Sequence, residues 1–428
     1  MNKQEQYRIY TEILREELLP AMGCTEPIAI SYASSILVNA LGKRPESIKI
    51  RLSGNIIKNV KSVIVPATGG MHGIEAAVAA GIVSDSPEKQ LEVLTALTES
   101  DVPDIKAYLE STKIEVCELE TDKQFEIKLY GVSGNDSAYV HLSDKHTSVA
   151  CVEANGKDIT SKYAMAEITE ETDRQNRDAL TVEGIVDYAK NVAIDEVAPL
   201  IRRQIEMNMA IAEEGIRNDY GASIGKIIYN GGSCSLRDRA RALAAAGSDA
   251  RMSGCEMPVC ILSGSGNQGI TASVPVITYA RDMGADEETT IRALLVSSLI
   301  TIHQKTGIGC LSAYCGAISA GCGCATGICF LNGGDYYEIA HTLVNSVAIL
   351  SGTICDGAKP SCAAKIAMAV EAGIMGYEMM KAGKQFYGGD GIVTKGVENT
   401  IKNVGRLARH GMSETDKEII RIMLSKGK

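Results

Sequence analysis

Apolar residues recur at three- and four-residue spacing through QEQYRIYTEILREELL, residues 4–19, which predicts an amphipathic first helix. Pro20 restricts the backbone after it, and Ala21–Pro27 reads as a turn-like interruption before a small, apolar helix over Ile28–Leu41. The pattern changes near Arg44. Glu46–Leu52 alternates apolar and polar positions, as a half-buried strand does. Strand-like runs follow at Glu92–Leu97, Ile114–Leu119, Phe125–Leu129, Ala138–Leu142 and Thr147–Ala154, with an Ala-rich helix over His72–Val83 and another over Val102–Ser111. Asn155-Gly156 is a strong hairpin signal, because both residues tolerate the positive φ a tight turn needs.

After about Met165 strand signals nearly vanish. Glu167–Thr172 and Thr181–Ala189 are polar or helical, Asp195–Gly215 is a long amphipathic helix, and further helices are predicted over 237–246, 271–282, 286–304, 311–325, 335–351, 361–382 and 413–426. The expected class is α+β, a mostly α-helical body with an inserted α/β domain. Residues 1–43 supply N-terminal helices that join the body, 44–164 form the α/β domain, and 165–428 form an all-α domain. No fixed-period repeat is visible.

Composition sharpens this picture. The chain has 428 residues, no Trp, three Phe and 42 Gly, which points to helices packed closely through small residues rather than around aromatic rings. The net charge of −10, without a basic cluster, argues against a nucleic-acid partner. The start is charged throughout and lacks the apolar core of a signal peptide. The uncharged runs Met257–Ala280 and Thr306–Gly334 are interrupted by Gly, Ser, Asn and Cys, so no membrane span is expected and the location reads as cytoplasmic.

Four segments could carry chemistry. In Gly23-Cys24-Thr25-Glu26-Pro27 the cysteine lies at a possible helix start, where backbone N–H groups and the helix dipole favour a thiolate; a buried Cys in an ordinary turn is the bland reading. Ser53–Asn59 and Ala67–Gly73 each follow a strand end with Gly and polar residues, as anion-holding loops do, and as plain turns also do. Ser263–Gly269 leads into a helix and suits an anion, but no strand–helix–strand unit with a later acid makes it a dinucleotide site. Gly221–Lys226 is one residue short of a P-loop, and Ile227 stands where Ser or Thr would bind magnesium.

The fourth segment is a cysteine cluster. Seven of the 13 cysteines fall between Cys310 and Cys362. The spacings match neither paired zinc knuckles nor the bacterial ferredoxin run, so spacing alone points to a metal without saying which. Close helix packing by small buried thiols is the alternative.

Taken in order, GCTEP at 23–27, SGNIIKN at 53–59, ATGGMHG at 67–73, SGSGNQG at 263–269, the 306–329 stretch and TICDGAKPSC at 353–362 resemble the L-cysteine desulfidase family, which is related to the alpha chain of iron–sulfur L-serine dehydratases. The resemblance runs over essentially the whole chain. It implies an oxygen-labile [4Fe–4S] cluster held by Cys315, Cys355 and Cys362 with one iron left open, and it marks Cys24 as catalytic. A small amino acid would be the substrate, met by Thr25, Ser53, Gly54, Asn55, Lys58, Gly69, Gly70, His72, Gly266 and Asn267. The implied reaction converts L-cysteine to pyruvate, ammonia and sulfide. The serine dehydratase Ser-Ser-x-His-Thr motif is missing and the last two cysteines are closer than in that pattern, which argues against serine as the principal substrate.

L-serine dehydration, a pyridoxal-phosphate lyase and a non-catalytic iron–sulfur sensor remain as rival readings. The roles of Cys310, Cys322, Cys324 and Cys329 stay open, as does assembly, for which a homodimer is one choice.

Overall fold

The computed structural model describes residues 2–163, 176–231, 235–309 and 311–424. The Glu167–Thr172 segment, the boundary at 164/165, Cys234 and Cys310 lie outside the described residues. The elements run α1 (Lys3–Glu17), β1 (Pro20–Met22), α2 (Thr25–Leu41), β2 (Ser47–Leu52), α3 (Gly54–Val60), α4 (Gly73–Ser84), α5 (Val102–Ser111), β3 (Lys113–Glu118), β4 (Glu126–Ser133), β5 (Asp136–Ser143), β6 (Val149–Ala154) and β7 (Lys157–Asp158). The second half continues with α6 (Val182–Asn191), α7 (Ile194–Arg217), α8 (Ile224–Asn230), α9 (Leu236–Met252), β8 (Pro258–Cys260), α10 (Gly266–Met283), α11 (Glu287–Ile308), α12 (Gly316–Leu331), α13 (Tyr336–Leu350), α14 (Cys362–Lys381), α15 (Val397–Arg406) and α16 (Ser413–Leu424).

The architecture is α+β. A six-stranded mixed sheet has the order β3-β2-β4-β5-β6-β7, with β2 and β3 parallel and the other pairs antiparallel. Alternation sets its faces: in β2, Ile48, Ile50 and Leu52 are buried while their neighbours are exposed. Asn155 (φ 50°) and Gly156 (φ 73°) close the β6–β7 hairpin as the sequence predicts. One face of the sheet carries α2, which also packs on α4, whereas α1 packs on α6, α7 and α11.

In the helical body α12 lies at the centre, against α10, α11, α13 and α14. Nearly every residue of α12 is buried, so it shows no polar stripe. Glycines allow the close crossings: a Cβ on Gly321 would overlap the Ala369 carbonyl, and one on Gly323 would overlap Thr301. Among the described residues no helix is long and apolar enough to cross a membrane.

Three expectations are corrected. Glu92–Leu97 is not a strand: Pro87–Ala96 forms 3₁₀ turns that bury Leu91, Val93 and Leu94. A short apolar run of this kind does not distinguish strand from helix. Residues 54–60 are helix rather than loop, because Ile56, Ile57 and Val60 fall on one buried helical face. The second half is not wholly helical, since β8 pairs antiparallel with β1, matching Pro20 to Cys260 and Met22 to Pro258.

Candidate active site

Two short backbone pairings gather residues that are distant in sequence. The β1–β8 ladder, extended by the Ile261 N–H donating to the Leu19 carbonyl at 2.8 Å, sets Gly23–Pro27 beside Ser263–Gly269. Thr25 Oγ1 then donates to the Gly264 carbonyl at 2.8 Å. The second pairing is a single antiparallel bridge between Tyr314 and Ile354. There the Cys315 N–H donates to the Thr353 carbonyl at 2.9 Å and the Cys355 N–H to the Ala313 carbonyl at 2.6 Å. Cys315 precedes α12, and Cys362 begins α14.

Cys24, Cys315, Cys355 and Cys362 all line one cavity of about 100 Å³. None is in a disulfide. Cys24 packs with Cys362, Val63, Met252 and Ala358. The Cys315 and Cys355 thiols act on each other: Cys315 holds Cys355 below its ordinary value, helped by the nearby Lys58 and Lys365 ammonium groups. The same interaction, together with burial, holds Cys315 well above its ordinary value. Burial also pushes up Cys362. Asp356, half-buried between Lys359 and Lys365, is held down at about 2 by those two partners despite its partial burial.

The Cys24 environment differs from the helix-start expectation. Cys24 caps α2, yet burial first and the Glu26 carboxylate second push its thiol well above the ordinary value, with only Arg251 opposing them. The resting group is therefore a thiol. Its Sγ lies 3.4 Å from Glu26 Oε2, to which it donates. Glu26 is itself buried and fixed: Asn59 Nδ2 donates to Oε1 at 2.8 Å, and the Thr25 hydroxyl shares its one proton between the Gly264 carbonyl and Oε2, 3.1 Å away.

Among the described residues no three His, Cys, Asp or Glu side chains are drawn together closely enough to hold a single metal ion. One zinc ion would pull its thiolate sulfurs to within roughly 4 Å of one another. A four-iron cluster spaces its thiolates further apart around a larger body. The donor set fits the latter: soft sulfur ligands around a shared cavity, with Lys58 and Lys365 close enough to offset thiolate charge.

Of the predicted substrate-binding residues, Asn267 lines the cavity, Gly266 immediately precedes it, and Thr25 ties the two loops together. Ser53, Gly54, Asn55 and Lys58 do not line it. Ser53 Oγ bonds the Gln124 carbonyl, and Lys58 is buried in an ion pair with Asp416 at 2.5 Å. Gly69, Gly70 and His72 are exposed and outside it. Cys322, Cys324 and Cys329 are buried in α12 and do not face the cavity; burial pushes Cys322 up to about 12 and Cys329 up to about 11, as for packed thiols.

The wall also contains Glu26, Asn59, Arg251 and Gln268, which sequence reasoning missed. Three of these lie inside the quoted motifs, next to residues that were chosen. Arg251 had only one signal, a lone cation closing the Ala-rich α9.

A family model described as serine dehydratase alpha chain matches residues 88–421. The chain is 52% identical over 427 residues to a UPF0597 protein of Desulfitobacterium hafniense, covering 99% of both chains. It is 45% identical over 420 residues to a UPF0597 protein of Treponema denticola, covering 97% of each. A UPF0597 protein of Bacteroides fragilis is 35% identical over 434 aligned positions, at full coverage of both. With most of its length matched by that family model and relatives aligned end to end, the chain belongs to the serine dehydratase alpha chain family.

Proposed function

We propose that the cavity is the active site of an iron–sulfur lyase that converts L-cysteine and water to pyruvate, ammonia and sulfide. The observation that carries this reading is the convergence of Cys24, Cys315, Cys355 and Cys362, from three separate stretches of sequence, on one cavity. Cys315, Cys355 and Cys362 would hold a [4Fe–4S] cluster. When bound there with one iron free of protein ligands, the cluster supplies a Lewis acid for the departing group on Cβ.

The remaining steps fall to this chain's own side chains. Glu26 Oε2, 3.4 Å from the Cys24 Sγ, is placed to accept the thiol proton; the transfer neutralises the carboxylate whose charge holds Cys24 as a thiol and leaves the thiolate beside the Arg251 cation. Asn59 and Thr25 hold the carboxylate in place for that transfer. The Cys24 thiolate removes the α-proton of L-cysteine as general base. The Cβ–S bond breaks, hydrosulfide leaves, and 2-aminoacrylate remains. It tautomerises to the imine and takes up water, releasing ammonia and pyruvate. A reducing cytoplasm is the setting that free thiols and an oxygen-labile cluster require.

The test is anaerobic reconstitution with iron and sulfide, followed by sulfide and pyruvate assays on L-cysteine and L-serine. Equal amounts of sulfide and pyruvate from L-cysteine, formed faster than pyruvate from L-serine, are expected. A faster reaction with L-serine would move the substrate to the hydroxy amino acid. No turnover of either would overturn the reading.

A further inference from the structure

Arg251 is 3% exposed, at the end of α9. Its Nη1 donates to Asn267 Oδ1 at 3.1 Å. Its Nε and Nη2 are buried and have no hydrogen-bond partner among the described residues. A guanidinium directs the N–H bonds of Nε and one terminal nitrogen in parallel, a fork matched to the two oxygens of a carboxylate. Leaving such a cation buried and unpaired is costly, so the fork is built for an anion that arrives. Among the described residues no carboxylate in the cavity wall fills that role, because Glu26 is already bonded to Cys24, Thr25 and Asn59. Gly266 leaves the space: a Cβ there would overlap the Arg251 guanidinium.

A second unpartnered group faces the same cavity. Gln268 is 5% exposed and its Oε1 accepts no hydrogen bond from the described residues. Its seat depends on the glycine after the first cluster cysteine, since a Cβ on Gly316 would come within 2.6 Å of the Gln268 Cδ. A fork of donors and a lone acceptor are complementary to a carboxylate and an ammonium on one small molecule.

We propose that Arg251 and Gln268 read the two charges of a free α-amino acid, the guanidinium binding its carboxylate and the amide oxygen its ammonium. This deepens the lyase reading and rests on the same cavity. It makes the site selective for the zwitterion: a thiol acid without an amine, or an aminothiol without a carboxylate, satisfies only one of the two groups.

The experiment uses full-length, anaerobically reconstituted protein and three probes without a leaving group. L-alanine carries both charges, alaninamide only the ammonium, and propionate only the carboxylate. Affinities are measured by calorimetric titration for wild type, Arg251→Gln and Gln268→Leu, with circular dichroism and cluster absorbance recorded on each. Arg251→Gln is expected to weaken L-alanine about 100-fold, as loss of one partner of a buried charge pair does, and propionate likewise, while leaving alaninamide unchanged. Gln268→Leu is expected to weaken L-alanine and alaninamide about 10-fold and spare propionate. Arg251→Lys keeps the charge without the fork and should fall between, which covers the case in which Arg251→Gln does not fold. Equal losses for all three probes, or none, overturn the assignment, as does a wild type that binds no L-alanine. Turnover of L-cysteine on the same samples separates the two claims: intact probe discrimination without turnover removes the reaction and leaves the amino-acid site.

Discussion

Cys24 shows how far residue-scale chemistry can be read in advance. The GCTEP motif marks it, and the structure places it against Cys362 in the cavity. The expected thiolate at a helix start gives way to a buried thiol beside a carboxylate, because burial outweighs the few tenths to one kcal/mol that a helix terminus supplies. A short motif such as GCTEP is too brief to report the burial of a single polar side chain, so Glu26 passed as part of a turn when it is the Cys24 hydrogen-bond acceptor. Cys24→Ser should keep cluster absorbance and probe binding while losing most turnover, since a hydroxyl is a far weaker base than a thiolate. If Cys24 is instead a resting fourth ligand, the same variant should lose cluster faster when substrate is absent. Near-normal turnover in Cys24→Ala would leave Cys24 as a packing residue only. Spectra and rates from one anaerobic preparation separate these outcomes.

At the scale of elements, periodicity located most helices and the sheet strands, because alternation and helical spacing report burial directly. It missed β1 and β8, whose three-residue ladder has no room for a pattern. It also missed the Tyr314–Ile354 bridge, which depends on tertiary approach alone. Those two contacts bring the site together, so the cavity was legible only as separate motifs. The C-terminal helix α16 is held on α3 by the Lys58–Asp416 pair, and Lys58 is 1% exposed in its side chain. Asp416→Asn would leave that ammonium buried without its charge partner, at a cost of about 3 kcal/mol. The expected result is a lower thermal midpoint and faster proteolysis within 413–424; an unchanged midpoint would show that water reaches Lys58.

A second test at this scale concerns Asp249, whose Oδ2 accepts from the Gly225 N–H at 2.8 Å while Oδ1 is buried without a partner. Burial raises this carboxyl from 3.8 to about 6. Below its ordinary value both folded and unfolded chains hold the proton. Between about 4 and 6 only the folded chain holds it, so stability falls as pH rises, by on the order of 3 kcal/mol once the folded group has ionised. Asp249→Asn cannot ionise and keeps an acceptor for Gly225. Thermal midpoints of cluster-free wild type and variant at pH 4.5 and 7.5 should therefore converge at low pH and separate at neutral pH, with the variant higher. Parallel behaviour would mean that Asp249 is hydrated.

For the whole molecule, the small-residue composition anticipated the close helix crossings around α12, while the large rings the core does bury are chiefly tyrosines such as Tyr10, Tyr188 and Tyr314. The same composition filled α12 with thiols that look like ligands in sequence but are packed away from the cavity, which is why cysteine count alone overstated the metal site. The three proposed ligands sit on segments joined by the single Tyr314–Ile354 bridge and the start of α14. A cluster bound across them would tie the beginnings of α12 and α14 together. Ligand binding to the folded state alone raises its stability by mass action, so loading should raise the thermal midpoint of the entire chain, and removal should lower it. Exposure to air followed by an iron chelator is expected to abolish turnover and lower the midpoint together, and anaerobic reconstitution should restore both. Replacing Cys315, Cys355 or Cys362 with Ser should remove the rise on loading, whereas replacing Cys322, buried in α12, should leave it intact. Full turnover after chelation in air, or an equal effect of Cys322→Ser on loading, would remove the cluster from this cavity.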